Sequence, residues 1–311
     1  MANNFRQLRR NATQLAIRLA IAATAALPIG FQRASIRTLV RLADPFLAGR
    51  LAKNMNLALG HDVPPQTLSR YFRHLGWFLS SALAVYHRGI AATPIADEVR
   101  FDESVALLDA ALAEGRGAVI VSAHWSGHEL VAGVVNRRHP MSLLVRQAPS
   151  NERMARKLKW YRALGADIVL RPDRASAIKD AVSYLKVLKQ GKVLSITPDL
   201  LAAPGQGIEV SLFGRKAQLH GGAFALALAA GAPMMRPYFK WQSDSSLIVA
   251  WERAPTPPQT ADRETAIQAA AQDWCRWFEG KLRDNPENWL FWLDKNWSRF
   301  LHETPREAGP Q

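Results

Sequence analysis

Cysteine is nearly missing from this chain. Of 311 residues only Cys275 is one, so an intramolecular disulfide is excluded and a reducing compartment fits. Cys275 stands among Trp274, Trp277 and Phe278, the setting of a packed thiol rather than a nucleophile. Long apolar runs are missing too. Between Arg18 and Pro28 there are only nine uncharged residues, Leu19 to Leu27, and a membrane span takes about 20. Acidic residues are scarce, 26 against 40 Lys and Arg. No zinc-finger or RNA-binding consensus and no internal repeat is present, so nucleic acid is not expected as a partner. The 48% hydrophobic content supports a substantial core, as one large α/β domain or two smaller ones, and excludes disorder except at the ends.

The net charge of +14 is unevenly spread. Residues 137 to 192 hold fourteen Lys or Arg against four Asp or Glu, a net of +10. A positive field of this kind recruits an anionic membrane surface or an acidic protein. Residues 1 to 27 join a basic start (Arg6, Arg9, Arg10) to an alanine-rich apolar stretch. That pattern predicts a helix lying on or dipping into a membrane leaflet, with a packed helix or a signal peptide as rivals.

Residues 32 to 58 and 65 to 89 read as helices, the second with a wide apolar stripe from Leu68 to Leu83. From Asp102 the pattern alternates helix and strand, which predicts an α/β fold with a mostly parallel central sheet flanked by helices. Strands are expected at 117–122, 141–145, 166–170, 193–197, 233–239 and 247–251, with helices at 104–114, from Asn151 to Gly165, from Ile178 to Leu188, at 221–230 and after Thr260. The expected organisation is an N-terminal helical region (1–100), an α/β core (101–300) and a flexible tail (301–311).

The chain is organised around Gly117-Ala-Val-Ile-Val-Ser-Ala-His124-Trp-Ser-Gly127-His128-Glu129. A β-branched run after glycine reads as a buried strand, and Leu130, Val131, Val134 and Val135 recur at helical spacing beyond it. On a continuous helix His124 and Glu129 would sit roughly 140° apart. Across a strand-to-helix bend they can meet, giving a general base oriented by a carboxylate. The bland alternative is two polar residues at a loop rim. A metal site using His124 and His128 would need both on one helix, and the strand-like approach and Gly127 oppose that.

Four blocks in order resemble the late acyltransferases of lipid A biosynthesis, within the glycerolipid and lysophospholipid acyltransferase superfamily marked by His-x4-Asp/Glu. They are His124-Trp-Ser-Gly-His-Glu129; Leu-Leu-Val-Arg146 with Asn151; Thr-Pro-Asp199; and Ser-Leu-Phe213-Gly214-Arg215 with Gly222 and Gly231-Ala-Pro233. The closing Asn-Pro-Glu-Asn-Trp289-Leu-Phe-Trp292 also fits, so the likeness covers roughly residues 100 to 300. The chain departs from the family where Trp-Ser-Gly-His replaces Phe-Gly-Asn-Trp and where Leu200 follows Asp199 in place of glutamine.

The resemblance implies transfer of a fatty acyl group from an acyl carrier protein thioester to a hydroxyl of a membrane glycolipid, such as a lipid A precursor, at the cytoplasmic face of the bacterial inner membrane. It implies His124 and Glu129 as catalytic, and Arg146, Asp199, Phe213, Gly214 and Arg215 as substrate-binding. Arg146 would hold a phosphate, with a solvated arginine as its alternative; Asp199 would contact sugar or basic groups, or cap a loop. No cofactor is expected beyond acyl carrier protein or acyl-CoA as co-substrate, and no metal. The partners implied are acyl carrier protein, anionic membrane lipids and the glycolipid acceptor. Acyl-CoA-dependent acylation of another lipid and non-catalytic lipid binding are the alternatives.

Overall fold

The expected strands assemble because their apolar runs have both faces to bury. All four residues of β2 (Ala118–Val121) are buried, as in a central parallel strand covered on both sides. The computed structural model describes residues 23–24, 27–171, 177–203, 205–256 and 262–306. The membrane-lying helix expected over residues 1 to 27 falls almost wholly outside them.

Two long helices come first, α1 (Ile29–Leu59) and α2 (Pro65–Arg88), followed by a short α3 (Ile95–Glu98). Strand β1 (Val99–Phe101) and helix α4 (Val105–Ala113) lead into β2. Then come α5 (His128–Asn136), β3 (Met141–Arg146), α6 (Asn151–Leu164), β4 (Asp167–Arg171), α7 (Ala177–Lys189) and β5 (Val193–Ile196). Strands β6 (Ile208–Leu212) and β7 (Arg215–Leu219) precede α8 (Gly222–Ala230), β8 (Met234–Ser243), β9 (Ser246–Arg253), α9 (Arg263–Asp284) and α10 (Lys295–Glu303).

The main sheet has the order β1-β9-β8-β2-β5-β3-β4. Its run from β8 to β4 is parallel, and β9 joins β8 antiparallel. The short β1 at the edge pairs parallel to β9. Helix boundaries follow local chemistry. In α6 the Ser150 side chain accepts from the Arg153 N–H, and Gly165 at φ 72° ends the helix. In α9 the Asp262 carboxylate caps Glu264 and Thr265.

Three features differ from expectation. The region around Phe213 is a two-residue hairpin between β6 and β7, with both Phe213 (φ 54°) and Gly214 (φ 65°) left-handed, the backbone of a type I′ turn. Strand β1 is too short to leave a periodic signal. Packed chain also continues past 301: Leu301 is buried, α10 runs to Glu303, and Arg306 donates to the carbonyls of Leu57 and Ala58.

The N-terminal helices are locked to the core through Glu98. It accepts two hydrogen bonds from Arg33 of α1, at 2.7 and 2.8 Å, and one from the Trp77 indole of α2 at 2.8 Å. Both charged side chains are largely buried, so removing one leaves the other without compensation. Glu98→Ala should therefore destabilise the protein by about 3–5 kcal/mol, read as a lower denaturation midpoint; an unchanged midpoint would show that this attachment does not depend on the pair.

Candidate functional site: a buried histidine–aspartate pair over an apolar cavity

Strands β2 and β5 are neighbours, with Val121 opposite Ile196. Three residues past each of those partners stand His124 and Asp199. In a parallel sheet both chains therefore leave the same edge together, and the two side chains meet across a sequence separation of 75. His124 Nδ1 and Asp199 Oδ1 are 2.7 Å apart, and the His124 backbone N–H donates to Asp199 Oδ2 at 2.8 Å. The Trp289 indole N–H donates to the same Oδ2 at 2.8 Å, while the Trp297 indole N–H takes the Asp199 carbonyl at 3.0 Å. Asp199 is fully buried. Burial by itself would raise its carboxyl pKa, but the His124 charge and the bonds from His124 and Trp289 outweigh it and hold the pKa below the usual value.

The loop carrying His124 is held by the C-terminal segment and by β8. Leu290 N donates to His124 O at 3.0 Å, Ser126 N donates to Asn288 O at 2.7 Å, and the Trp125 indole reaches Pro237 O at 2.9 Å. Gly127, at φ 94°, turns the chain into α5. A Cβ there would lie 2.5 Å from the Trp77 ring, so both the backbone conformation and the close approach require glycine.

With Nδ1 engaged, His124 presents Nε2 to a cavity of about 300 Å³ between α5 and the sheet; its nearest polar neighbour there is Thr197 Oγ1 at 3.5 Å. Apolar walls come from Ile120, Val131, Val135, Leu143 and Val145, and the rim from Arg146, Lys157, Glu129 and Leu200. Burial tends to lower the His124 pKa, and the Asp199 charge and hydrogen bond overcome this to raise it above 6.5. His128, whose ring centroid is 4.7 Å from that of His124, is pushed the other way, to about 4, by burial and then by the His124 charge. It is neutral at physiological pH.

The His124–Glu129 hydrogen bond expected from the spacing does not form. Glu129 lies in the first turn of α5 and lines the cavity, but it accepts from the Trp160 indole at 2.9 Å and the Tyr161 hydroxyl at 2.8 Å. The carboxylate on His124 is Asp199. Glu129 still acts on His124 through its charge, which raises the histidine pKa.

Arg146 ends β3 at the cavity rim, as expected, opposite Arg171 of β4, and its carbonyl accepts from Lys157 Nζ at 2.7 Å. Nearby His220 has its pKa lowered by burial and by the charges of Arg171 and Arg146. Phe213, Gly214 and Arg215 are not brought to this cavity. Phe213 is buried among Phe278, Trp289, Trp292 and Trp297, behind the indoles that hold Asp199. Arg215 is buried and donates to the carbonyls of Thr304, Leu57 and Phe213, clamping α1 to the C-terminal segment. At the start of α5 the His128 N–H donates to Trp125 O at 3.0 Å.

His124 thus stands at the carboxyl edge of a parallel sheet, above an apolar slot with a basic rim, the place where open α/β sheets bind their ligands. The family model of the bacterial lipid A biosynthesis acyltransferases matches residues 2–299, and the chain belongs to that family. It is an acyltransferase of lipid A biosynthesis. A comparison with curated proteins found no match.

Replacing Asp199 by asparagine removes the charge that raises the His124 pKa while burial remains. NMR titration of the ring should then move the His124 pKa from above 6.5 in the wild type to a lower value in Asp199→Asn. An unmoved pKa would mean that the pair is not formed in solution.

Proposed function

We propose that the protein transfers a fatty acyl group from an acyl carrier protein thioester to a hydroxyl of a membrane glycolipid of the lipid A pathway, with His124 as general base. The observation that carries this reading is His124 itself, with Nδ1 held by a buried carboxylate and Nε2 open to the cavity. In the step proposed, Nε2 takes the proton of the acceptor hydroxyl as its oxygen bonds to the thioester carbon. The carbon–sulfur bond then breaks, and the protonated histidine returns its proton to the leaving thiolate. Asp199 holds the tautomer and stabilises the imidazolium between these events, as in histidine-based acyl transfer generally. A base so placed is worth about 10²–10⁴-fold.

The apolar slot suits the acyl chain, and the rim suits the anionic parts of donor and acceptor, with Arg146 as the phosphate-binding side chain. Glu129 is the second acid of this reading. From its bonds to Trp160 and Tyr161 it supports the wall of the cavity and adds charge near His124, rather than orienting its ring. Beside the cavity, α6 carries Arg153, Arg156, Lys159 and Arg162, a face that attracts an acidic carrier protein.

A membrane surface is favoured by α1. Phe31, Leu39, Leu42 and Phe46 are all exposed, Phe46 to 86%, although each is large and apolar. At 100° per residue they fall within an arc of about 80°, a single stripe. Among the described residues no helix is long and apolar enough to cross a membrane, so the attachment proposed for this part of the chain is peripheral, at the cytoplasmic face of the inner membrane.

His124→Ala should reduce acyl transfer to a lipid A precursor by at least about 10²-fold while leaving the denaturation midpoint near wild type. Near wild-type transfer by folded His124→Ala protein would remove this mechanism. For the donor, Arg153→Glu with Lys159→Glu should raise KM for the carrier-linked donor more than for acyl-CoA, and added salt should do the same. Equal use of both donors, insensitive to salt and to these charges, would sink the carrier assignment.

A further inference from the structure

The cavity is not lined by hydrocarbon alone. Ser195 belongs to β5, between Ile120 of β2 and Leu143 of β3, and all three line the cavity. Side chains alternate along a strand, so Ser195 and Thr197 point to the same face, separated by about 7 Å. Thr197 Oγ1 lies 3.5 Å from His124 Nε2, which places Ser195 one repeat deeper into the slot from the reacting end. Ser195 is only half-buried although it sits in a central strand, and its hydroxyl makes no hydrogen bond to any described residue. On the far side of β2, Trp251 also lines the cavity, and its indole N–H is buried without an acceptor among the described residues. A plain hydrocarbon chain would cover such groups and leave them unmatched, which disfavours it as the ligand.

We propose that the acyl group this enzyme transfers carries a hydroxyl within its first few carbons, and that Ser195 reads it. The inference rests on the acyl-transfer reading above and names its donor class: a hydroxyacyl thioester in preference to a plain acyl thioester. With the thioester carbon beside His124 Nε2, a hydroxyl on the second or third carbon comes level with the segment between Thr197 and Ser195. There the Ser195 hydroxyl, both donor and acceptor, pairs with it at ordinary hydrogen-bond distance. Of the other hydroxyls lining the cavity, Ser122 donates to the Ala123 carbonyl, Tyr161 donates to Glu129 and Thr197 lies against His124 Nε2, so selectivity falls on Ser195.

The test compares dodecanoyl, 2-hydroxydodecanoyl and 3-hydroxydodecanoyl thioesters of acyl carrier protein, with a lipid A precursor in detergent micelles as acceptor. For the wild type, kcat/KM should be about tenfold higher for one hydroxyacyl donor than for the plain one, the worth of a single net hydrogen bond. In Ser195→Ala that ratio should fall to about one, by slower use of the hydroxyacyl donor with the plain donor equal or faster. Ser195→Thr, which keeps the hydroxyl, should retain part of the preference. Equal use of all three donors by the wild type, or a preference unchanged in Ser195→Ala, would overturn the inference while leaving acyl transfer intact. Absence of transfer from every donor would instead overturn the acyl-transfer reading beneath it.

Discussion

The arrangement depends on one buried charge. Asp199 has no exposed surface, and a carboxylate in that position is tolerated only if its oxygens are bonded and its charge is answered. One oxygen meets the His124 ring; the other takes the His124 backbone N–H and the Trp289 indole. These bonds make His124 more basic and fix the orientation of its ring. They also tie three parts of the chain together: the end of β2, the end of β5 and the Trp289 segment. Loss of any one would leave the carboxylate underbonded in a low-dielectric interior, where that is most unfavourable.

Behind that pair stands an aromatic layer whose purpose is positional. Trp289 packs edge-on against Trp292 and Trp297, with ring centroids 4.8 and 4.9 Å away, and Phe213 closes the cluster from the hairpin turn. A ring held on several sides keeps its N–H aimed, so the Asp199 carboxylate has little freedom. From the opposite side, Trp77 is held by Glu98 and lies against Gly127. The turn that carries His124 is thus packed between the N-terminal helices and the C-terminal segment, although both lie far from it in sequence.

Charge is sorted by the same fold. Strands β3 and β4 end side by side at Arg146, on the rim, and Arg171, and the two charges help depress the pKa of His220. Inside the cavity His124 is made more basic, while His128, one helical turn further along the chain, is driven neutral. Two histidines within one short loop and helix start are therefore shifted in opposite directions, His124 upward by the carboxylate it touches and His128 downward chiefly by burial.

Local signals were enough for the elements and for the position of His124. The β-branched run before Ser122 and the helical spacing after Gly127 locate His124 at a strand's exit, since burial period and glycine placement act over a few residues. The start of α6 at Asn151, its end at Gly165 and the start of α9 after Thr260 were legible for the same reason. The partner of His124 was not. Glu129 is five residues away and was the natural choice, yet α5 turns it towards Trp160 and Tyr161, while Asp199 arrives from a strand whose place beside β2 no local pattern encodes. The resemblance makes Phe213, Gly214 and Arg215 substrate-binding; a I′ turn and the carbonyls of Leu57, Phe213 and Thr304 account for them once β6 and β7 are seen to pair. The sequence by itself determined the α/β alternation, the strand-to-helix turn and the histidine, because those follow from short-range periodicity and backbone preference. Only the tertiary structure decided which carboxylate holds the histidine and which hydroxyls face the cavity, because strand order is set by long-range packing.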